Sequence, residues 1–420
     1  MVICSTAFIT LGRTQLNALG APDTPIAVIP HPFGLRTRTQ VRAIAEQCVE
    51  DIARLALGGA DATQRSARAA APAGRAHQIE VPDDIEAFNA LCEERRWADG
   101  LPLIPPTPDR VKKMLRHTRR SPQDVVAQVA PGFGTATVES IAINAVMAGC
   151  KPEYLPVLIA AVEAVTDRAF NLQGIQATTN PATPWIIVNG PVAVTLGING
   201  GMNCMGQGTR ANSTIGRALR LIMQNVGGAL PGEMDRATHG QPAKHTFCCA
   251  ENEADSPWEP LHVERGFEHG QSTVTVVGAA GTSNLNSHAK DADDLLKVIA
   301  DSLRCPTSND YHFGGQPWIA ISPEHAEIMK RGGLTKAQVK RRLWDESKVS
   351  AGRFAAKDYA RVQHTRGPEL GEIGPDTLLP VSVRAGEIGI IVAGGPGTHS
   401  VYVPTFGQTR AVTRPIDSDL

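Results

Sequence analysis

The chain has 420 residues, of which 42% are hydrophobic and 20% are charged, and its formal net charge is −1. This balance excludes the basic excess of nucleic-acid binding proteins, and no apolar run approaches the roughly 20 residues that cross a bilayer, so we expect neither nucleic acid nor membrane as a partner. The length exceeds one typical hydrophobic core, which predicts two domains. The first residues lack the charged and apolar regions of a secretory signal, and we therefore expect a cytoplasmic protein.

Residues 1–58 alternate short apolar strands with amphipathic helices. Strands are predicted at Val2–Cys4 and Pro25–Pro30, and helices at Thr6–Leu19 and Thr37–Leu57. Such alternation predicts a βαβα unit with parallel strands. Two strands and two helices cannot close a core alone, so we interpret this unit as part of a larger module.

A predicted flexible linker, residues 59–80, is rich in Ala, Gly, Ser and Arg. The remainder, residues 81–420, alternates helices with short apolar strands without another such break, which predicts one large mixed α/β domain and an α/β fold class for the whole chain. Its helices are predicted near residues 84–97, 108–117, 152–166, 212–226, 291–303, 323–331 and 335–346. Its strands are predicted at residues 185–188, 244–248, 273–277, 318–321 and 388–392.

The eight cysteines are scattered along the chain without a Cys-x-x-Cys pair. This spacing favours neither a disulfide framework nor a structural zinc site. We expect most of these residues to be small, buried and apolar.

The segment Leu196–Asn212 is the richest candidate for function. Its glycines allow backbone amides to point into a common cavity, and a helix predicted to start near Asn212 would favour an anion at its N-terminus. Arg210 is predicted to clamp a carboxylate or phosphate, and Cys204 lies where a thiolate would be stabilised. The predicted substrate-binding residues, including one from a polar loop at 171–181, are Asn203, Gly206, Gly208, Arg210, Asn212 and Gln176. The alternative is a structural loop with a buried cysteine.

The segment His245–Glu264 carries a second set of candidates. We predict Cys249 as a reactive thiol, and Glu251 and His262 as groups that accept and donate protons. If the strand continues past Cys249, alternation places Cys249 and Glu251 on one face and Cys248 on the other. Carboxylate and imidazole groups also suit a metal, although the spacing selects none. The alternative is a set of surface carboxylates, a core thiol and a structural histidine.

Two further segments are weaker candidates. Gly394–Ser400 follows an apolar strand, a place where α/β folds bind ligands, although a tight turn is the favoured interpretation. Cys150 precedes a predicted helix and is a second candidate thiol. No phosphate-binding loop and no dinucleotide-binding glycine motif occurs, so the sequence specifies no cofactor.

Several stretches match a known family. On Val2–Phe8, Ala18–Asp23 and Val28–Pro32, the N-terminal part resembles the UGSC family of (seleno)proteins. The remainder resembles the domain that is often fused to, or encoded beside, that module. The stretches that carry this second resemblance are Trp97–Thr107, Ile143–Cys150, Gly206–Arg217 and Ala250–Glu264.

The resemblance implies a Cys or selenocysteine followed by Gly-Ser-Cys, upstream of the βαβα unit, and this motif is not in the sequence. We hypothesise that the reading frame begins before Met1, with an in-frame UGA codon read as a stop, or that a separate UGSC-motif subunit supplies the motif. A lone half-module would leave strand edges and an apolar helix face uncovered. The missing part would contribute a redox-active thiol or selenol.

These observations favour an enzyme subunit that acts on a small anionic or polar substrate with a reactive thiol, as an oxidoreductase or a lyase. A hydrolase or lyase that uses carboxylate and imidazole groups, with or without a metal, is the first alternative. A non-catalytic binding or scaffold subunit is the second. The identity of the substrate and the formation of a homo-oligomer are left open by the sequence.

Overall fold

The computed structural model describes residues 1–57 (the N-terminal segment), residues 78–81 and residues 83–417. Most of the predicted linker, and Pro82 in the predicted helix start, lie outside the described residues. Helices and mixed β-sheets make up the described parts, which confirms the α/β class. Within these ranges, no helix combines the length and the apolar character that a membrane span requires.

The N-terminal segment is a small βαβα unit. Strand β1 (Val2–Ser5) pairs in parallel with β2 (Ile26–Ile29). Helix α1 (Ile9–Ala18) connects them, and α2 (Arg38–Leu57) follows. All four predicted elements are confirmed. No residue of α2 is buried and Ile3 is 53% exposed, so the unit leaves apolar surface uncovered.

Residues 83–417 form a larger α/β assembly. Its helices are α3 (Ile85–Glu94), α4 (Pro108–Leu115), α5 (Val138–Met147), α6 (Leu155–Val165), α7 (Leu172–Ala177), α8 (Pro191–Thr195), α9 (Arg210–Asn225), α10 (Leu261–Glu264), α11 (Ala292–Leu303), α12 (Asn309–Phe313), α13 (Pro323–Arg331), α14 (Lys336–Glu346) and α15 (Ala356–Leu370). Its strands are β3 (Val125–Val129), β4 (Gly134–Thr137), β5 (Thr183–Asn189), β6 (Cys248–Ala250), β7 (Thr273–Ala279), β8 (Ser283–Asn286), β9 (Trp318–Ile321), β10 (Val349–Ser350), β11 (Leu378–Leu379), β12 (Gly389–Val392), β13 (His399–Val403) and β14 (Val412–Pro415).

Two four-stranded sheets organise this assembly. The first sheet has the strand order β14-β7-β5-β6, and the second has the order β12-β9-β13-β8. In the first sheet, β5 is parallel to β6 and antiparallel to β7. In the second, β12 is parallel to β9, and β13 is antiparallel to its neighbours. Both sheets are therefore mixed.

The two sheets pack face to face, with helices on their outer faces. Along β5, Ile186 and Val188 join the core formed with α5, α6 and α9, whereas Trp185 and Ile187 face the second sheet. Trp185 meets Trp318 of β9 edge to face, with ring centroids 6.0 Å apart. The result is a four-layer arrangement of helix, sheet, sheet and helix. Burial on both faces explains why the central strands read as continuous apolar runs.

Several helices begin at side-chain caps that the sequence provides. Asp84 accepts a hydrogen bond from the amide of Ala87 at 2.7 Å, as expected for a helix start near residue 84. Thr335 and Gln338 form a reciprocal capping box at the start of α14. These caps explain why the predicted positions of these helices are close to the observed ones.

The predicted strand at 244–248 is wrong over most of its length. A 3₁₀ turn occupies Pro242–Lys244, and β6 begins only at Cys248. Proline at the first position of the turn favours helical geometry, and the Lys244 ammonium contacts Asp235 at 2.5 Å. These constraints override the apolar and β-branched residues that indicate a strand.

Six of the described helices are not recognised from the sequence: α5, α7, α8, α10, α12 and α15. In α5, apolar residues at seven of the ten positions leave too little polar contrast to show a helical period. Helix α7 lies in the predicted polar loop, where Asn171 adopts a left-handed conformation and its side chain accepts from the amide of Gly174 at 3.1 Å. Helix α15 is mostly polar and contains Pro368, a residue that normally indicates a helix end.

Candidate functional site

Three segments that the sequence singles out separately meet at one place. The amide of Gly394 donates to the carbonyl of Gly200 at 2.8 Å, which joins the turn after β12 to the glycine-rich loop. The amide of Asn252, just after β6, donates to the carbonyl of Val392 at 2.8 Å. The loop, the end of β6 and the end of β12 therefore form one cluster. Carboxyl ends of strands are where α/β sheets commonly bind ligands.

Close backbone packing fixes the loop against β6. A Cβ atom on Gly200 would lie 2.8 Å from the carbonyl oxygen of Ala250 and 2.9 Å from the Glu251 carbonyl group. Distances this short do not occur for real side chains, so glycine is needed at position 200 for the loop to reach the strand.

Asn212, in the first turn of α9, fixes the rest of the loop. Its Oδ1 accepts from the amide of Asn199 at 2.8 Å, and its Nδ2 donates to the carbonyls of Asn199 and Cys204, each at 2.9 Å. The Asn212 side chain is buried, and these three hydrogen bonds all go to backbone groups of the loop. The predicted substrate contact at Asn212 is thus observed as a contact within the loop.

Cys204 and Cys249 come together between the two sheets. Cys249 lies on β6 opposite Ile187, and both thiols belong to the apolar core that includes Trp185 and Phe247. Cys204 is 5% exposed and Cys249 is completely buried. All eight cysteines are free thiols. The predicted alternation holds for Cys248, which faces the helical core on the opposite side of the sheet.

The two thiols have opposite electrostatic character. A hydrogen bond from the Cys249 thiol lowers the pKa of Cys204, and the backbone amides of Gly394 and Met205 act in the same direction against the effect of burial. The same contact, together with burial, raises the pKa of Cys249 well above its usual range. Cys204 is therefore the thiol of the pair that loses its proton more readily, and Cys249 is its hydrogen-bond donor, an arrangement suited to thiol–disulfide exchange.

Buried polar side chains surround the ends of β5 and β6. Glu251 Oε2 accepts from Asn189 Nδ2 at 2.6 Å and from the amide of Leu261 at 2.7 Å. Glu253 Oε1 accepts from the same Asn189 Nδ2 at 2.8 Å and lies 3.7 Å from Nδ1 of His262. The two carboxylates are thus linked through one amide, with a fully buried imidazole beside them.

Three buried atoms of this polar cluster have no hydrogen-bond partner within the described ranges. They are Glu251 Oε1, Asn189 Oδ1 and His262 Nδ1. Burial raises the pKa of Glu251. Buried polar atoms are normally paired, so three unpaired atoms together make this cluster a candidate for binding a proton, a water molecule or a substrate group. Predicted acid–base residues Glu251 and His262 do lie together.

Asn189 is the member of this cluster that sequence reasoning missed. Its signal in the sequence is a single polar residue that ends the apolar strand β5 and is followed by a glycine at position 190. The Gly190 amide donates to Glu253 Oε1 at 2.7 Å, which fixes the second carboxylate.

The other predicted substrate-binding residues have different environments. Asn203 is exposed, adopts a left-handed conformation and donates to the carbonyl of Gln207 at 2.7 Å. Gly206 and Gly208 are exposed in the same turn. Gln176 is buried and accepts from Arg220 at 3.2 Å, beside the start of β5 rather than its end. Gln176 therefore lies away from the thiol pair.

Arg210 begins α9 and is directed toward a different cysteine. Its Nε donates to the carbonyl of Gly149 at 3.0 Å, and its charge acts on Cys150 and Tyr154. Burial nevertheless raises the pKa of Cys150 to about 12, so this thiol stays protonated. These contacts do not support Arg210 as the anion clamp of the thiol site, or Cys150 as a nucleophile.

In the part of the chain that the structure describes, no group of three or more His, Cys, Asp or Glu side chains has an arrangement that could hold a metal ion.

Residues 1–58 match the model of the UGSC family, which confirms the resemblance over the N-terminal part. No curated protein matches the chain by sequence similarity. The family match is consistent with a UGSC-type N-terminal module joined to a larger domain. It ends before the thiol pair, so the interpretation of the site depends on its own geometry.

Proposed function

We propose that this protein is a thiol-dependent oxidoreductase in which Cys204 and Cys249 alternate between a dithiol and a disulfide. The observation that carries the proposal is the placement of Cys204 and Cys249 in one buried core between the two sheets, with Cys249 as hydrogen-bond donor to Cys204. A neighbouring thiol in hydrogen-bonding contact with a thiolate is the arrangement that disulfide exchange requires.

Cys204 is the attacking residue in this proposal, because it is 5% exposed whereas Cys249 is completely buried, and because its pKa is the lowered one of the two. It attacks a partner disulfide or selenenylsulfide, forms a mixed disulfide and expels one partner thiolate or selenolate. Cys249 then loses its proton to solvent and attacks the Cys204 sulfur. This step forms the Cys204–Cys249 disulfide and releases the second partner thiolate, so two electrons pass to the partner.

The partner that we propose is a Cys/Sec-Gly-Ser-Cys module. Support comes from the family match over residues 1–58 and from the apolar surface that the N-terminal segment leaves uncovered. A small polar or anionic substrate would exchange electrons with that module through the thiol pair.

A second candidate function, acid–base catalysis by a hydrolase or lyase, has its own supporting observation. Glu251 Oε1 and His262 Nδ1 are buried and unpaired in the described structure. This alternative predicts activity that does not respond to thiol alkylation. A scaffold role without turnover remains the third hypothesis.

The exchange mechanism is tested by trapping the mixed disulfide. The protein is mixed with an oxidised Cys-Gly-Ser-Cys peptide and, in parallel, with a small aromatic disulfide. We expect the Cys249→Ala variant to retain either reagent on Cys204, because the resolving thiol is absent. Wild-type protein should instead release the reagent and form the internal disulfide.

Cys248→Ala is the matched control, since Cys248 is adjacent in sequence but faces the other side of the sheet. It should behave as wild type does. Absence of any adduct on Cys204 with both reagents would reject the exchange mechanism, whereas reaction with the aromatic disulfide alone would reject only the proposed partner.

A further inference from the structure

A cavity of about 920 Å³ lies at the opposite end of the first sheet from the thiol pair. Its lining includes Arg220, Gln224, Asp235, Gln241 and Lys244. Cavities of this size are typical of sites for small organic ligands. The cavity does not include any residue of the thiol pair or of the polar cluster.

Its position follows from the contacts of Arg220. That side chain donates to Thr183, which begins β5, whereas the polar cluster contains Asn189, which ends β5. A seven-residue strand spans about 20 Å from its first to its last residue. The cavity is therefore a separate place in the fold.

Arg220 is a buried cation with only neutral hydrogen-bond acceptors. It is 7% exposed, and it donates to the carbonyl of Lys244 at 3.0 Å, to Gln176 Oε1 at 3.2 Å and to Thr183 Oγ1 at 2.9 Å. A guanidinium has five N–H groups, so two remain without these partners, one on each terminal nitrogen. No carboxylate forms an ion pair with Arg220 in the described part of the chain.

The nearest acidic group is already engaged. Asp235 contacts the Lys244 ammonium at 2.5 Å and accepts from the amide of Ala237 at 3.1 Å. Burial lowers the pKa of Arg220 to about 10 even though the charge of Asp235 opposes the shift. A buried guanidinium whose charge is not neutralised costs folding free energy unless an anion pairs with it.

We propose that the cavity binds a small organic carboxylate, whose two oxygens accept the two remaining N–H groups of Arg220. A planar fork of donors matches a carboxylate in two-point contact. Gln176 supports the site, since it holds Arg220 through Oε1 while its buried Nε2 has no partner within the described residues. Leu230, Pro231 and Pro242 supply apolar walls for the ligand body.

The lining also favours a monoanion over phosphate. Glu93 and Asp235 both line the cavity, and their charges would repel a dianion. This site is independent of the thiol mechanism, so either proposal can fail without the other.

The test is ligand binding to the full-length protein. Benzoate and butyrate are compared with benzamide and inorganic phosphate, by calorimetry and by the midpoint of thermal unfolding. We expect a carboxylate to bind and to raise the midpoint, with no effect of the neutral amide. The Arg220→Gln variant should bind at least tenfold more weakly, whereas Arg342→Gln, which removes a surface arginine paired with Glu346, should bind as wild type does.

A measurement on wild-type protein covers the case in which Arg220→Gln does not fold. Phenylglyoxal modifies arginine side chains, and peptide mass spectrometry reports which ones. The bound carboxylate should slow modification of Arg220 and leave that of Arg342 unchanged. Binding of phosphate alone, equal binding by Arg220→Gln, or no carboxylate binding at all would overturn the proposal.

Discussion

The side-chain amide of Asn212 donates a 2.9 Å hydrogen bond to the carbonyl oxygen of Cys204. This bond links the first turn of α9 to the loop that carries Cys204. Because the opposite side of the loop is fixed by Gly200 against β6, the Cys204 sulfur is held beside Cys249 from both directions. The predictions below follow from this arrangement.

Alkylation should single out Cys204. Because the pKa of Cys204 is lowered by the Cys249 hydrogen bond, its reaction with iodoacetamide should have a pH midpoint below the usual thiol value of about 8.5. The Cys249→Ala variant should shift this midpoint upward, since the hydrogen-bond donor is lost. Peptide mass spectrometry across a pH series measures both. A midpoint that does not respond to Cys249→Ala would contradict the pairing.

Asn212→Ala should loosen the thiol loop. The change leaves the amide of Asn199 and the carbonyl of Cys204 without their partner, at a cost of about 1–3 kcal/mol in the free energy of unfolding. Alkylation of Cys204 should become faster in native protein. Asn225→Ala is the control. Asn225 ends the same helix and donates to the Trp97 carbonyl and to Asn144 Oδ1, so its loss should leave the alkylation rate of Cys204 unchanged.

Gly200→Ala should be destabilising, whereas Gly201→Ala should be tolerated. The new Cβ at position 200 would lie 2.8 Å from a backbone oxygen, while that at position 201 would lie 3.5 Å from the Asn199 side chain. Overpacking of this kind costs about 1–3 kcal/mol. Denaturant unfolding of the two variants measures the difference. Equal stability would show that the loop does not contact β6 as described.

The stability of the protein should depend on pH through Glu251. The pKa of Glu251 is raised in the folded state. Its contribution to the free energy of unfolding is therefore fully present below its pKa in the unfolded chain, about 4.5, and is lost as pH rises through its pKa in the folded protein. Relative to wild type, Glu251→Gln should therefore gain stability as pH increases above about 4.5. Burial also raises the pKa of Asp310, to about 6. Because Asp310 is present in both proteins, its effect on stability cancels in the comparison. A difference that is constant with pH would contradict the buried carboxylate.

The sequence predicts candidate residues for the site better than it predicts the contacts between them. Cys204, Cys249, Glu251 and His262 are each predicted from local composition, and they do lie in the region where three segments meet. The contact between Cys204 and Cys249 joins residues that are distant in the sequence, so no local pattern reveals it. For Arg210 the local pattern is misleading. Its position at a helix N-terminus predicts an anion clamp, whereas its Nε donates to the carbonyl of Gly149.

In the fold, too, local elements are predicted from the sequence better than the packing between them. Apolar runs buried on both faces predict most of the central strands, and caps such as Asp84 locate helix starts. The stacking of two sheets across Trp185 and Trp318 is not predicted, because a doubly buried strand does not show in its sequence which layer covers each face. The mostly apolar α5 is missed because its few polar residues do not show a helical period.

The most direct test of the central claim is the redox state of the thiol pair in native protein. The protein is equilibrated in thiol–disulfide buffers of graded potential, alkylated, digested and mapped by mass spectrometry. The account predicts a Cys204–Cys249 disulfide that forms in one two-electron transition, with a midpoint between about −300 and −180 mV. If this disulfide forms at no potential, or only after denaturation, the thiol pair is a structural contact and the oxidoreductase proposal is wrong.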